Sequence, residues 1–464
     1  MKPFLCFFLI FIKTLQFSAQ TFDVEAIKDS GDNDKRINLV FMGDGYTTSE
    51  LDKFITDATN FSNSLFSQSP FSEYSDYFNV YAIKVPSNES GTDHPATATD
   101  VTEPFFDAAV VDTYFNTSFD TAGIHRLLYT YDSATVYDVL ADNFPEYDQP
   151  IILVNSSEYG GAGGPYATSS TGNNADEIVI HELGHSLFDL KDEYYPGDVL
   201  AAEAINMTQE TNTSLVKWKN WIGLNTIGIY QHEDFNGNPK PWYRPHETCK
   251  MRYLGVPFCA VCKEGIIEKI HSLVSPIDNY SPNNNTIDNL TFPLDFQLDL
   301  INPNPNTLES DWTLNATSFA TNVDDISILE TDLVEGANTL TTVIHDNSPF
   351  LKVDNHNSFH VYSVTWTINY SSLGVDDIES EANNYNISLY PNPANNVLNL
   401  KFESNSISEL KVEIISIDGK RLTSTTLSNY ENTLIDISKF SQGIYITNFY
   451  SGNVLLVSKR LIKN

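Results

Sequence analysis

The apolar residues of this chain change their period near His271, and that change limits the folds open to it more than any other feature. Before it, Ile37 to Met42 is a continuous apolar run closed by Gly43-Asp44-Gly45, the pattern of a buried strand that ends in a tight turn. Thr47 and Glu50 then stand at capping-box spacing, and Leu51, Phe54, Ile55, Ala58, Phe61 and Leu65 recur every three or four residues along one helical face. Tyr77 to Val85 and Ile151 to Val154 read as further strands, the latter central because it lacks alternation. This mixture predicts an α/β (α+β) region. Past His271, Phe292, Leu294, Phe296, Leu298 and Leu300 alternate with polar residues, as do Tyr362, Val364, Trp366, Ile368 and Tyr370, which predicts a β-sandwich-like antiparallel domain. A polar, acidic connector at 371–384 precedes a last block with strands near Val397 to Phe402 and Val412 to Ile417 and a turn at Asp418-Gly419. The expected division of the 464 residues is 1–19, 20–273, 274–370, linker 371–384 and all-β 385–464. No tandem repeat is visible, which argues against a solenoid.

The first segment is a leader. Lys2 precedes an apolar run from Phe4 to Ile12, and the small residues Ser18 and Ala19 stand where a signal peptidase cuts. That run is far shorter than the ~20 residues that span a bilayer, and no other stretch is long enough, so no stable membrane span is expected. Lys plus Arg total 26 against 61 Asp plus Glu, a net charge of −35 that repels phosphate backbones and excludes nucleic acid as a partner. A charged fraction of 19%, below the ~25% of an average globular protein, leaves a polar, uncharged surface suited to a secreted protein. With the leader removed, Cys249, Cys259 and Cys262 remain, an odd number in a chain bound for an oxidising compartment.

His181-Glu182-Leu183-Gly184-His185 carries the chemistry. On a helix, residues i and i+4 lie one above the other, so both imidazoles can ligate one Zn²⁺ while Glu182, beside it, takes a proton from the attacking water. Ile180, Leu183, Leu187 and Leu190 mark a buried face of that helix, distinct from the histidine face. A catalytic zinc takes three protein ligands and keeps one open position. Asp189 tolerates left-handed backbone angles, so the helix can end there and turn Asp192 toward the metal; Glu193, or a distant acid such as Glu203, is the alternative third ligand. The glycine cluster 160–164 reads as a flexible loop, or else as a surface approached closely by a ligand backbone.

The HExxH helix, the break, the Asp192-Glu193-Tyr194 run, Cys249-Lys250-Met251-Arg252-Tyr253 and Phe258-Cys259-Ala260-Val261-Cys262 together resemble the IgA-peptidase-like secreted zinc metallopeptidases of the metzincin-type clan. Ile37 to Tyr46 and Asn155 to Tyr166 are also similar, and the likeness extends from about Arg36 to Tyr370. The run from His185 to Asp192 is one residue longer than is usual in metzincins, and Asp189 replaces their turn glycine. The resemblance implies that Met251 forms an apolar floor beneath the zinc and that Tyr253 approaches the metal to stabilise the oxyanion. The cysteines allow a disulfide from Cys249 to Cys259 or Cys262, or a second metal site built from His246 and all three thiols.

At the other end, Leu389-Tyr390-Pro391-Asn392-Pro393, Ile417-Asp418-Gly419-Lys420, Gly443-Ile444-Tyr445-Ile446 and the basic stretch Lys459-Arg460-Leu461-Ile462-Lys463 resemble the C-terminal sorting domain of the type IX secretion pathway. That likeness implies passage through the periplasm to the cell surface or the medium, with the type IX machinery as partner. The combined expectation is a secreted zinc metalloendopeptidase acting on extracellular protein or peptide substrates, with one catalytic Zn²⁺, metal ligands His181, His185 and Asp192, and catalytic residues Glu182 and Tyr253. The rivals are a catalytically silent zinc-containing adhesin and a non-peptidase zinc amidase. A structural site needs four closed ligands and no adjacent base, so Glu182 speaks against the first.

Overall fold

The computed structural model describes residues 21–354, 356–371, 386–403, 409–427, 433–452 and 454–464. The leader 1–19 and all but the first residue of the linker 371–384 fall outside them. The chain divides into two compact units, one of 1–333 with 337–368, the other of 334–336 with 369–464.

The first unit is built on a six-stranded sheet of β1 (Val24–Lys28), β2 (Ile37–Asp44), β3 (Phe78–Ile83), β4 (Gln149–Val154), β5 (Gly161–Ala162) and β6 (Ala167–Ser170), in the order β1-β3-β2-β4-β6-β5. β3, β2, β4 and β6 run parallel, and the two edge strands run antiparallel to their neighbours. Both faces are covered, which is why the central strands read as unbroken apolar runs. Ile37, Leu39 and Phe41 on one face join a core with Phe54, Ala58, Phe61 and Leu65 of α1 (Leu51–Phe66) and Val179, Ile180 and Leu183 of α3 (Ala175–Ser186). Val40 and Met42 on the other face pack with Val136, Val139 and Leu140 of α2 (Ser133–Asn143). Burial of a side chain such as Phe54 or Phe61 is worth about 2 kcal/mol, so the alternation of β2 is held from both sides. The Thr47–Glu50 capping box forms ahead of α1 as its spacing predicts. The second strand is shorter than expected, because Tyr77 closes a helical turn and the strand ends at Ile83. The glycine cluster is not merely loop, since Gly161 and Ala162 form the edge strand β5.

The same unit continues through α4 (Ala260–Leu273) into a five-stranded and a three-stranded sheet. Phe296 of the smaller sheet meets Trp366 of the larger at 5.1 Å, and Trp366 stacks on Trp312 at 5.9 Å, so the alternating residues of both sheets meet in one core. This β region is fastened to the α/β region by buried Asp346, which accepts hydrogen bonds from the Tyr74 hydroxyl, from Thr307 at 2.6 Å and from His271 Nε2 of α4 at 2.8 Å.

The second unit holds a three-stranded and a four-stranded antiparallel sheet. Leu398, Leu400, Val412, Ile414, Phe449 and Leu461 form its own core. Among the described residues no helix is long and apolar enough to cross a membrane.

Candidate metal centre

α3 carries His181 and His185 one turn apart, and its first turn holds Asp176 and Glu177, which suit a helix N-terminus. The helix ends at Ser186, and Asp189 takes φ +57°. That left-handed residue reverses the chain, so the Leu190 N–H returns to the Gly184 carbonyl at 2.8 Å and the next residues run back beneath the histidines. Asp192 thereby meets both rings, its Oδ1 lying 3.1 Å from His181 Nε2 and 3.2 Å from His185 Nε2, while the two Nε2 atoms are 3.2 Å apart.

The other ring nitrogens are also engaged. His181 Nδ1 donates to the Lys250 carbonyl at 2.9 Å and His185 Nδ1 to the Leu190 carbonyl at 2.8 Å. A carbonyl can only accept, so both rings carry their proton on Nδ1 and turn the Nε2 lone pairs inward. Two lone pairs and a carboxylate oxygen then face one another at hydrogen-bond distance with no proton between them in the neutral state. That donor set fits a cation, and its nitrogen and oxygen ligands suit zinc. Burial opposes the charge on His185, but the hydrogen bond and charge of Asp192 outweigh it and raise its pKa. Burial likewise opposes ionisation of Asp192, yet hydrogen bonds from the two histidines hold it well below the usual carboxylate range.

Glu182 lies beside this group. Burial raises its pKa, partly offset by His181 and His185, which favours a carboxylate able to accept and return a proton. Gly163 packs against it so closely that a Cβ there would stand 1.9 Å from Glu182 Oε2. The glycine cluster is thus a close-approach surface, and what approaches is this carboxylate. Met251 is fully buried and packs under the helix at Gly184, where an added Cβ would meet its sulfur at 2.7 Å. The turn that carries it is held by Lys250, buried and paired with Glu177 of α3.

The structure brings His181, His185, Asp192 and Glu182 together and leaves Tyr253 out. Tyr253 is 48% exposed, with its ring 4.8 Å from the Arg252 guanidinium. Tyr194, exposed to the same 48%, is the tyrosine on which the Asp192 charge acts, its pKa raised by burial and then by that charge. It stands next in sequence to the Asp192-Glu193 pair, the one signal that could have singled it out. Of the alternative third ligands, Glu203 is engaged by Lys217 at 2.7 Å. Glu193 faces away, into the three cysteines. Those cysteines are free thiols, so the expected disulfide is not formed. His246 is not among them, being bonded to Thr226 and to the Thr248 N–H. A cleft of about 800 Å³ borders the centre through His185 and Asp192, but neither His181 nor Glu182 lines it.

Residues 25–235 match the family model IgA Peptidase M64, a match that ends before Met251, Tyr253 and the cysteines. Residues 388–464 match the model Secretion system C-terminal sorting domain. No curated protein matches the chain. Among solved structures, the dimeric latent PorU of Porphyromonas gingivalis is 14% identical over 40% of this chain and 20% of its own length, with a TM-score of 0.15. The SGBP-B protein of a Bacteroides ovatus mixed-linkage glucan utilization locus is 13% identical over 39% of this chain and 42% of its own, also at 0.15. This chain therefore spans less than half of either. Peptidases of the M64 family are metallopeptidases. Residues 25–235 are thus similar to the IgA Peptidase M64 family, and the sorting-domain match at 388–464 marks a protein exported to the cell surface or the medium.

Proposed function

We propose that this chain is a secreted zinc endopeptidase in which His181, His185 and Asp192 hold the metal and Glu182 is the general base. The observation that supports the reading most is the inward convergence of two Nε2 lone pairs and one carboxylate oxygen, each ring fixed by a backbone carbonyl on its far side. Zinc bound there would polarise the scissile carbonyl and lower the pKa of the attacking water. Glu182, with its raised pKa, accepts the proton of that water and returns it to the leaving amine. Gly163 keeps the carboxylate in place, and the edge strand β5 next to it offers an extended substrate a backbone to pair with. Tyr194, two residues after Asp192 and within reach of its charge, is a candidate beside Tyr253 to donate to a developing oxyanion.

A metzincin-type fold for residues 20–273, a β-sandwich-like domain at 274–370 and a sorting domain at 385–464 belong to the same reading, as does cleavage of a signal peptide at 1–19. The test is Glu182→Gln. It should keep the metal and lose at least the ~10²-fold contributed by a general base. Full activity in that variant, measured on an unfolded protein substrate, would overturn the mechanism.

A further inference from the structure

Cys249, Cys259, Cys262 and Glu193 meet in a second cluster whose four donor atoms all lie within 4.8 Å of one another. We propose that it is a structural site for a thiophilic divalent cation of the zinc class, separate from the His181–His185–Asp192 group.

Four observations carry this. The first is spacing: four ligands around zinc, with Zn–S of about 2.3 Å, place two sulfurs about 3.8 Å apart and a sulfur about 3.5 Å from a carboxylate oxygen. Cys249 Sγ and Cys262 Sγ are 3.7 Å apart, and Glu193 Oε1 stands 3.1 Å from Cys262 Sγ and 3.8 Å from Cys259 Sγ. The second is burial: Glu193, Cys249 and Cys262 are fully buried, and Cys259 is 7% exposed. The third is an unmet need, because Glu193 Oε1 has Asn206 Nδ2 at 3.3 Å while Oε2 has no hydrogen-bond partner. A sealed, ionised carboxylate with a bare oxygen beside three thiols is costly unless a cation binds it or it takes up a proton, and only a cation also engages the three thiols. The fourth is number, since a disulfide takes two of three thiols and leaves a third and the carboxylate unaccounted for, whereas one cation takes all four.

The surroundings suit anionic ligands. Cys259 is the N-cap of α4, and its N–H donates to Cys249 Sγ at 3.2 Å. Three thiolates and a carboxylate around Zn²⁺ carry the same net charge as a four-cysteine site, and hard cations such as Ca²⁺ or Mg²⁺ are excluded by the sulfur donors.

The position gives the site a purpose. Glu193 follows Asp192, and its N–H donates to the Met251 carbonyl at 2.7 Å. Cys249 precedes Lys250, whose carbonyl orients His181. A cation on the four donors would tie α4, the Met251 turn and the Asp192 segment together, bracing the other centre from below.

The test uses the full chain after the leader, purified without reductant, with His181→Ala/His185→Ala to remove the first centre. Zinc is counted by mass spectrometry, and Co²⁺ is then exchanged in, because thiolate-bound cobalt absorbs in the near ultraviolet and a histidine–carboxylate site does not. We expect one zinc per chain and the thiolate band in the double variant, with Cys262→Ser abolishing the band and Glu193→Gln weakening Co²⁺ affinity by ~10-fold or more. Should the cysteine variant fail to fold, the double variant's own band and its alkylation pattern decide. Three alkylated cysteines after unfolding in chelator support the site. A Cys249–Cys259 or Cys249–Cys262 disulfide, or a folded double variant with neither zinc nor band, overturns it.

Discussion

Gly163→Ala tests whether the Glu182 carboxylate works from the place where the fold holds it. The added Cβ would stand 1.9 Å from Oε2 and 2.7 Å from Cδ, against an ordinary contact distance of 3.4 Å or more. Restoring that contact moves the carboxylate by roughly 1.5 Å, and misplacing a catalytic group by ~1 Å costs on the order of 10²-fold in rate. That is about 2.7 kcal/mol on the barrier. Gly163 does not occupy left-handed backbone space, so alanine strains no dihedral and stability should change by less than about 1 kcal/mol. Steady-state hydrolysis of an unfolded protein should show kcat reduced about 10²-fold with metal content unchanged. Because both changes act through one carboxylate, Gly163→Ala placed on Glu182→Gln should cost little more than Glu182→Gln alone. Wild-type kcat in Gly163→Ala, or full additivity in the double variant, would show that Glu182 is not used from this position.

Three further outcomes follow from the structure. Asp192→Ala should lower zinc affinity at the histidine pair by more than the ~10² of a lost supporting contact, whereas Glu193→Gln should leave the zinc held by the histidine pair in place; equal losses in a chelator competition would reassign the ligand. At Asp346 burial opposes ionisation, but the His271 hydrogen bond and charge, with Thr307 and Tyr74, lower its pKa below the ordinary 3.8. Its stabilisation is therefore present above that value and lost as pH falls through the folded-state value, so Asp346→Asn should destabilise at neutral pH and shrink the fall in Tm between about pH 5 and pH 3. An unchanged acid slope would refute this. Truncation after Tyr370 should leave the purified enzyme active and, in a host with the type IX machinery, trap it in the periplasm; normal export of the truncated chain would refute the sorting role.

What could be read along the chain was whatever neighbouring residues determine between themselves. The apolar spacing of Leu51 to Leu65 specified α1, the Thr47–Glu50 pair its cap, and the alternation around Phe296 and Trp366 two of the strands beyond α4, because helix and strand periods are local. The i, i+4 histidines and the left-handed tolerance of Asp189 were legible for the same reason, and in the fold Asp192 lies beside the two rings. Distant contacts were not legible. Nothing in the spacing says that the Lys250 carbonyl orients His181 or that Gly163 lies against Glu182. The cysteines show the difference most plainly: His246 and Cys249 have the spacing of metal ligands, yet the fourth group at the thiols is Glu193, more than fifty residues earlier. Local spacing settles which side chains share a face of a helix or strand, whereas the donors that meet across the core are chosen by how α3, α4 and the Met251 turn pack, and only the folded chain holds that information.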